Sequence, residues 1–385
     1  MPGRRGQADP AKAHLCRRCQ ENEPAVTVRT EPLCRNCFIN YIHTKVVKRV
    51  GGYKFAVCHS TAQRTFLLPL SLGASSLTLL HILDGYLKGQ IERTGRTGFA
   101  LHVLHIDTSS ASPHAPTDPG SLLSKIQDRY PAHTYSSIPL SDILSDPSVA
   151  DLISAYLSSA PPTTPTSTLT TLLSALPSPT SRADVLQALQ TKLLISFAVR
   201  HNLSAVLLGH STTTLAERVL AETAKGRGGS LPFVVADGEG NAEGNGGVPF
   251  YYPMRDLLRK EIVAHAALAV PPLTGLCVAG TGTGTGKERE REVPVSMKNS
   301  TIDGLMVQYF EGVEREYPSI VANVVRTAGK LVGEGAGEKA VRCALCGMVV
   351  ALGEDLHGQG VVEGEGEEGT GRLCHGCKRS LPKAV

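Results

Sequence analysis

Apolar positions along this chain follow two rhythms, and the rhythms alternate. Short apolar runs at 66–70, 99–106, 134–139 and 204–209 read as strands. Between and after them, apolar residues recur at three and four, which predicts helices over 76–93, 120–130, 148–158, 182–201 and 213–225. The 182–201 pattern is the clearest, with Val185, Leu186, Leu189, Leu193, Leu194, Phe197 and Ala198 on one face. Strands alternating with helices predict parallel βαβ units with right-handed crossovers, a Rossmann-like α/β sheet. Further helices are expected over 38–50, ended by Gly51-Gly52, over 254–269, and over 300–331 with a break at Tyr317-Pro318.

Low-complexity stretches interrupt this pattern. Residues 107–119, 158–181 (rich in Pro, Thr and Ser), 226–247 (rich in Gly) and 279–292 (Thr-Gly repeats, then alternating charge) read as loops or disordered inserts. The resulting organisation is a disordered tail (1–13), an N-terminal module with a helix (14–54), the α/β body (55–270), a linker insert (271–299), a helical region (300–332) and a C-terminal module (333–385). Hydrophobic residues make up 41% of the 385, but aromatics only 5% and Trp is absent, so Leu, Val, Ala and Ile must build the core. No apolar run approaches the ~20 residues of a membrane span, and the first residues lack the apolar core of a signal peptide. The expectation is a cytoplasmic protein with no membrane partner, in a reducing compartment where paired cysteines serve as metal ligands rather than disulfides.

That expectation matters because eight of the ten cysteines fall in four Cys-x-x-Cys pairs. Cys16 with Cys19 and Cys34 with Cys37 lie near one end; Cys343 with Cys346 and Cys374 with Cys377 lie near the other. Each pair offers two thiolates from one tight knuckle, and two knuckles complete a tetrahedral site. Two structural zinc sites are expected, because four thiolates leave no open position for a reacting group and the metal supplies folding energy that such short segments lack. A redox pair or a shared iron–sulfur cluster is the competing reading. Cys58 and Cys277 stand alone.

Charge is distributed unevenly. Residues 1–54 carry eleven Lys and Arg against four Asp and Glu, a net of +7, which leaves −3 for the rest of a chain whose total is +4. A basic end on a nearly neutral body suits an anionic partner, nucleic acid first; the alternative is a solvated face. Arg17, Arg18, Arg35, Lys45, Lys48, Arg49 and Lys54 are the candidates for contact with phosphates.

The remaining chemistry centres on Phe66-Leu67-Leu68-Pro69-Leu70-Ser71-Leu72-Gly73-Ala74-Ser75-Ser76. A strand, a tight turn and a helix start point free backbone N–H groups at one spot, where a phosphate can sit. The stretch resembles the PP-loop of ATP pyrophosphatases, whose usual form is Ser-Gly-Gly-x-Asp-Ser. Ser71, Gly73 and Ser76 match; Leu72 stands for a glycine and Ser75 for the aspartate. Farther on, Gly209-His210-Ser211-Thr212-Thr213-Thr214-Leu215-Ala216-Glu217 is similar to the Gly-His-Asn-x-Asp-Asp-x-Ala-Glu segment of PP-loop tRNA-modifying enzymes, with Thr213 and Thr214 in place of the two aspartates. Tyr252-Pro253-Met254-Arg255 with Lys260-Glu261 resembles a later segment of the same family.

The order of knuckles, loop, Gly-His segment, Pro-Met-Arg segment and knuckles resembles the two-subunit eukaryotic tRNA 2-thiolation system, and the eroded loop resembles its second, degenerate subunit. The resemblance implies a heterodimer with a catalytic subunit 1 that places sulfur on C2 of the wobble uridine of lysine, glutamate and glutamine tRNAs. It also implies sulfur delivery from a thiocarboxylated ubiquitin-like carrier and ATP activation in the intact subunit. For this chain it implies tRNA binding and support of the partner, with no catalytic residue. Ser71, Gly73, Ser75, Ser76, Asp107, Gly209 and His210 would outline a degenerate nucleotide cleft whose hold on ATP is in doubt, since Ser75, Thr213 and Thr214 cannot supply charge to magnesium. Two alternatives stand beside this: an active enzyme with displaced ligands such as Asp107, and a zinc-dependent nucleic-acid scaffold unrelated to thiolation.

Overall fold

The computed structural model describes residues 14–53, 64–109, 111, 119–156, 164–242, 247–278, 300–331, 341–350 and 373–381. From the N-terminus, β1 (Val26–Val28) and β2 (Glu31–Leu33) form an antiparallel hairpin, followed by α1 (Arg35–Gly52). The body runs β3 (Thr65–Pro69), α2 (Ala74–Thr94), β4 (Ala100–Asp107), α3 (Pro119–Arg129), β5 (Thr134–Pro139), α4 (Pro147–Tyr156), α5 (Pro165–Ala175) and α6 (Pro179–Arg200). It continues through β6 (Ala205–Leu207), α7 (Thr212–Ala224), α8 (Leu231–Val235), α9 (Glu239–Ala242), β7 (Phe250–Tyr251) and α10 (Arg259–Leu268). Two helices, α11 (Ile302–Glu316) and α12 (Pro318–Ala328), precede a small hairpin of β8 (Val341–Arg342) and β9 (Val349–Val350) and a last helix, α13 (His375–Ser380).

The central sheet is five-stranded and parallel throughout, in the order β5-β4-β3-β6-β7. Phe66 pairs with Leu101 on one side and Ala205 on the other. Phe66, Leu67 and Leu68 are all buried, as expected for a central strand covered by helices on both faces. The chain moves from β3 outward to β5, then returns past β3 to β6 on its other side. That reversal falls between β3 and β6, and the carboxyl ends of strands at such a point are the usual ligand position in such sheets.

Tyr317-Pro318 does separate two helices: α11 ends at Glu316 and Pro318 opens α12. Both pack on α7, where Phe310 and Val321 are fully buried with Val206, Leu215 and Phe250. Two inserts expected to be loops carry helices instead. Within 158–181, Thr164 caps α5 by a reciprocal capping box with Ser167, and Leu169, Leu172 and Leu173 are buried. Within 226–247, Leu231, Val234 and Val235 bury against Val219 and Ala328. The 107–119 and 279–292 stretches lie mostly outside the described residues.

The N-terminal helix is part of the main core. Phe38, Ile42, Val46 and Val50 of α1 are buried at i, i+4, i+8 and i+12 against α2 and α10. Three histidines meet at that junction. His43 Nε2 lies 3.0 Å from His265 Nε2, and the His81 ring sits 5.9 to 6.0 Å from both. Burial and its neighbours hold them neutral: His81 is pushed down to about 4 and His265 to about 3.

Candidate nucleotide cleft and metal centres

The loop after β3 turns through a left-handed residue into the start of α2. Leu70 N–H donates to Leu104 O (2.8 Å), Gly73 is the N-cap of α2, and Leu72 lies at φ +59°, in the left-handed region that favours glycine. The turn therefore retains the shape a glycine would give, at a cost of roughly 1–2 kcal/mol for a side chain there. The fully buried Leu72 side chain offsets that cost in the core, and Val278 N–H closes over the loop onto Leu72 O (3.0 Å). The hydroxyls serve the turn itself: Ser71 Oγ and Ser76 Oγ lie 3.2 Å apart, and Ser76 Oγ donates to Gly73 O (3.1 Å).

The segment after β6 lies close to this loop. A Cβ on Gly209 would stand 3.0 Å from the Ser75 carbonyl carbon and oxygen, so any larger residue would push the two segments apart by a few tenths of an ångström. Ser71, Gly73, Ser75, Ser76 and Gly209 are thus brought together, with His210 beyond. His210 is half-buried and stacks on Tyr252 at 5.4 Å; burial, with Arg218 beside it, pushes it down to about 3. Asp107 ends β4 at the same edge of the sheet, and its carboxylate accepts the Ser109 N–H (2.8 Å), capping its own turn.

Thr213 and Thr214 do structural work. Thr213 Oγ1 donates to Glu314 Oε2 (2.7 Å) and accepts from Arg259 N–H (3.0 Å). Glu314 Oε1 accepts from Lys260 N–H (2.8 Å), and Arg259 forms a two-pronged pair with Glu217. Thr214 N–H caps onto Ser211 Oγ (3.0 Å). The start of α7 is therefore riveted to α10 and α11. The Glu314 rivet was not legible in the sequence, because its partners lie 54 and 101 positions away. Cys277, beside the loop, donates to Leu273 O (3.4 Å), and burial pushes its thiol up to about 11. Cys58 and Lys54 lie outside the described residues.

Both cysteine quartets assemble. Within each, the four Sγ atoms lie within 4.8 Å of one another. Cys19 to Cys34 and Cys346 to Cys374 are both 3.8 Å, which matches the ~3.8 Å edge of a tetrahedron with metal–sulfur bonds of ~2.3 Å. The donor sets fit a single four-coordinate ion at each end. In the N-terminal site, Cys34 immediately precedes α1 and Cys37 sits in its first turn, while backbone N–H groups of Cys19, Cys34 and Arg18 point at Cys16. In the C-terminal site, Cys374 caps α13 and accepts the Cys377 N–H (3.4 Å).

The basic residues beside the first site divide into two groups by their partners within the chain. Arg35 donates to Leu268 O (2.8 Å) and Ala269 O (3.3 Å), at the carbonyl end of α10. Arg49 pairs with Asp237 (2.9 Å) and Asp256 (2.6 Å), and Lys45 donates to Asp256 O (3.0 Å) over the Tyr41 ring. These three hold α1 to the body. Arg17, Arg18 and Lys48 remain exposed.

With this geometry in place, relatives can be compared. A family model for cytoplasmic tRNA 2-thiolation protein 2 matches residues 301–359. A protein of that name from Phaeosphaeria nodorum is 42% identical over 100% of this chain and 98% of its own length. Another from Pyrenophora tritici-repentis is 40% identical over 100% and 98%. The chain belongs to the cytoplasmic tRNA 2-thiolation protein 2 family. Its fold is shared with the U34-tRNA thiolase NcsA from Methanococcus maripaludis, at a TM-score of 0.54 and 15% identity over 86% of this chain and 91% of that one. The PP-loop α/β fold expected from the sequence is thus found, with a cysteine quartet toward each end. No helix among the described residues is long and apolar enough to cross a membrane.

Proposed function

We propose that this chain is the non-catalytic subunit of a cytoplasmic tRNA 2-thiolation complex, paired with a catalytic subunit that modifies the wobble uridine. Its family membership and its likeness to a U34-tRNA thiolase fold support the pathway. One observation carries the non-catalytic role: the positions that would offer carboxylates to a magnesium nucleotide hold Ser75, Thr213 and Thr214, and Thr213 is already committed to Glu314 and Arg259. The backbone amides at the start of α2 still suit a phosphate, but no acid at these positions supports the metal that activation needs. Each cysteine quartet is read as a structural zinc site, since a 3.8 Å sulfur edge encloses one small ion and leaves little room for a multi-iron cluster. Arg17, Arg18 and Lys48 are read as the tRNA contacts from this end, giving salt-dependent binding with little base reading. Sulfur from a ubiquitin-like carrier is taken to reach the tRNA through the partner.

The test is reconstitution: 2-thiouridine in tRNA is measured after incubation with ATP and a sulfur source, using this chain alone, the catalytic subunit alone, and both. Product with both and none with this chain alone supports the reading. Product from this chain alone rejects it.

A further inference from the structure

The C-terminal quartet is joined to the body by a buried set of charges. Asp184 of α6 receives both prongs of the Arg227 guanidinium, at 2.8 Å and 2.5 Å, and Arg227 also pairs with Glu222 (3.0 Å). Lys225 bridges Asp184 (3.3 Å) and Asp303 at the start of α11 (2.7 Å). Ser380 of α13 donates to the same Asp184 carboxylate (2.6 Å). From this cluster Arg227 Nη2 donates to Cys377 Sγ at 3.4 Å. Asp184 and Arg227 are 3% and 7% exposed, so these contacts are little screened by water.

The surrounding backbone is built to permit the contact. A Cβ on Gly376 would lie 2.7 Å from Arg227 Cγ and 3.0 Å from Lys225 O. Gly226 takes φ +82° beneath His375, and a Cβ there would meet its Nδ1 at 3.0 Å. Lys192 Nζ donates to Ala344 O (2.6 Å), between the first two ligands in sequence. A tetrathiolate bound to a divalent ion carries a net charge of −2. A buried guanidinium donating to one sulfur holds that sulfur in the metal-facing position and stabilises its charge.

We propose that Arg227 is the outer-sphere positioning residue for the C-terminal metal, and that through it the metal orders the α7–α8 corner at residues 222–230. Metal occupancy at the C-terminal site is thereby coupled to α7, the helix that follows Gly209-His210. This rests on the reading that both quartets hold metal, which two bound equivalents in the wild-type chain check separately.

The experiment uses the full chain loaded with zinc. Release of each equivalent to a chromophoric chelator is followed for wild type, Arg227→Met and Arg227→Lys. One equivalent is expected to leave about 10–100-fold faster in Arg227→Met, the usual cost of losing an outer-sphere partner. Arg227→Lys keeps a charge for Asp184 but not the fork, and falls between. The other equivalent keeps the wild-type rate and serves as the internal reference. Because Arg227→Met takes the guanidinium from Asp184 and Glu222 and leaves them only Lys225 and, for Asp184, Ser380, a second arm uses Cys346→Ser, which removes only the C-terminal metal. Hydrogen exchange at 222–230 should rise in that chain while exchange in α1 is unchanged. Wild-type release rates in Arg227→Lys, or unchanged exchange at 222–230 in Cys346→Ser, overturn the proposal.

Discussion

The two cysteine quartets share a geometry and differ in how they join the protein. The N-terminal quartet starts α1, and the apolar stripe of that helix, Phe38, Ile42, Val46 and Val50, is sunk in the main core. The C-terminal quartet starts only the short α13 and is fastened through Asp184, Arg227 and Ser380, with Cys343, Leu345 and Leu381 buried against α6. The N-terminal module is joined by its apolar stripe together with Arg35, Lys45 and Arg49, and the C-terminal module by a buried charge network beside its apolar contact. Apolar burial is forgiving of small shifts, whereas a buried network depends on every partner being present. The same metal should therefore be a foundation at one end and an adjustable fastening at the other.

The largest effect separates them directly. Cys34→Ser should release the start of α1, and each of its four buried apolar side chains is worth about 1.5–3 kcal/mol. A loss above ~5 kcal/mol in denaturant unfolding is expected. Cys374→Ser should cost less, since α6 keeps its own packing beneath. Equal losses would erase the distinction.

Acid should act on the N-terminal junction next. His265 is held at about 3 in the folded protein and titrates near ~6.5 when unfolded. The unfolded chain binds the proton first, so stability is full above about pH 6.5 and falls as pH drops toward the folded value. By pH 5 the loss from His265 alone is about 2 kcal/mol. Thermal unfolding of His265→Asn between pH 7 and 5 should show a shallower slope than wild type.

The basic face should divide in two. Arg49→Ala should cost about 1.5–3 kcal/mol of stability because its charged hydrogen bonds are removed, while the salt slope of tRNA binding stays as in wild type. Neutralising Arg17, Arg18 and Lys48 together should do the reverse. Stability should hold, and the slope should fall by up to about 1 for each phosphate that is no longer neutralised.

Much of this was legible in the sequence for a local reason. The strand at 99–106 and the helix at 182–201 announce themselves by periodicity, and they appear as Ala100–Asp107 and Pro179–Arg200. The Cys-x-x-Cys knuckles are set by chain geometry over four residues, so their pairing across the chain could be read too. What was hidden depends on distant partners. α5 lay in a Pro/Thr/Ser-rich stretch whose composition outweighed its Leu169, Leu172 and Leu173 spacing. The partners of Arg35 and Arg49 within the chain, Leu268, Asp237 and Asp256, lie more than 180 positions away and leave no local mark in the sequence. The loop was recognisable from Ser71, Gly73 and Ser76, but only the fold shows Leu72 holding a glycine's conformation with its side chain turned into the core.

On the proposed reading, that loop keeps the backbone outline of a nucleotide site without the acids that would make it react. Pyrophosphate release from ATP, measured with magnesium and substrate tRNA, tests it most directly. The purified chain alone should release none above the protein-free control, and addition of the catalytic subunit should start the reaction. Steady release by this chain without its partner would contradict the account.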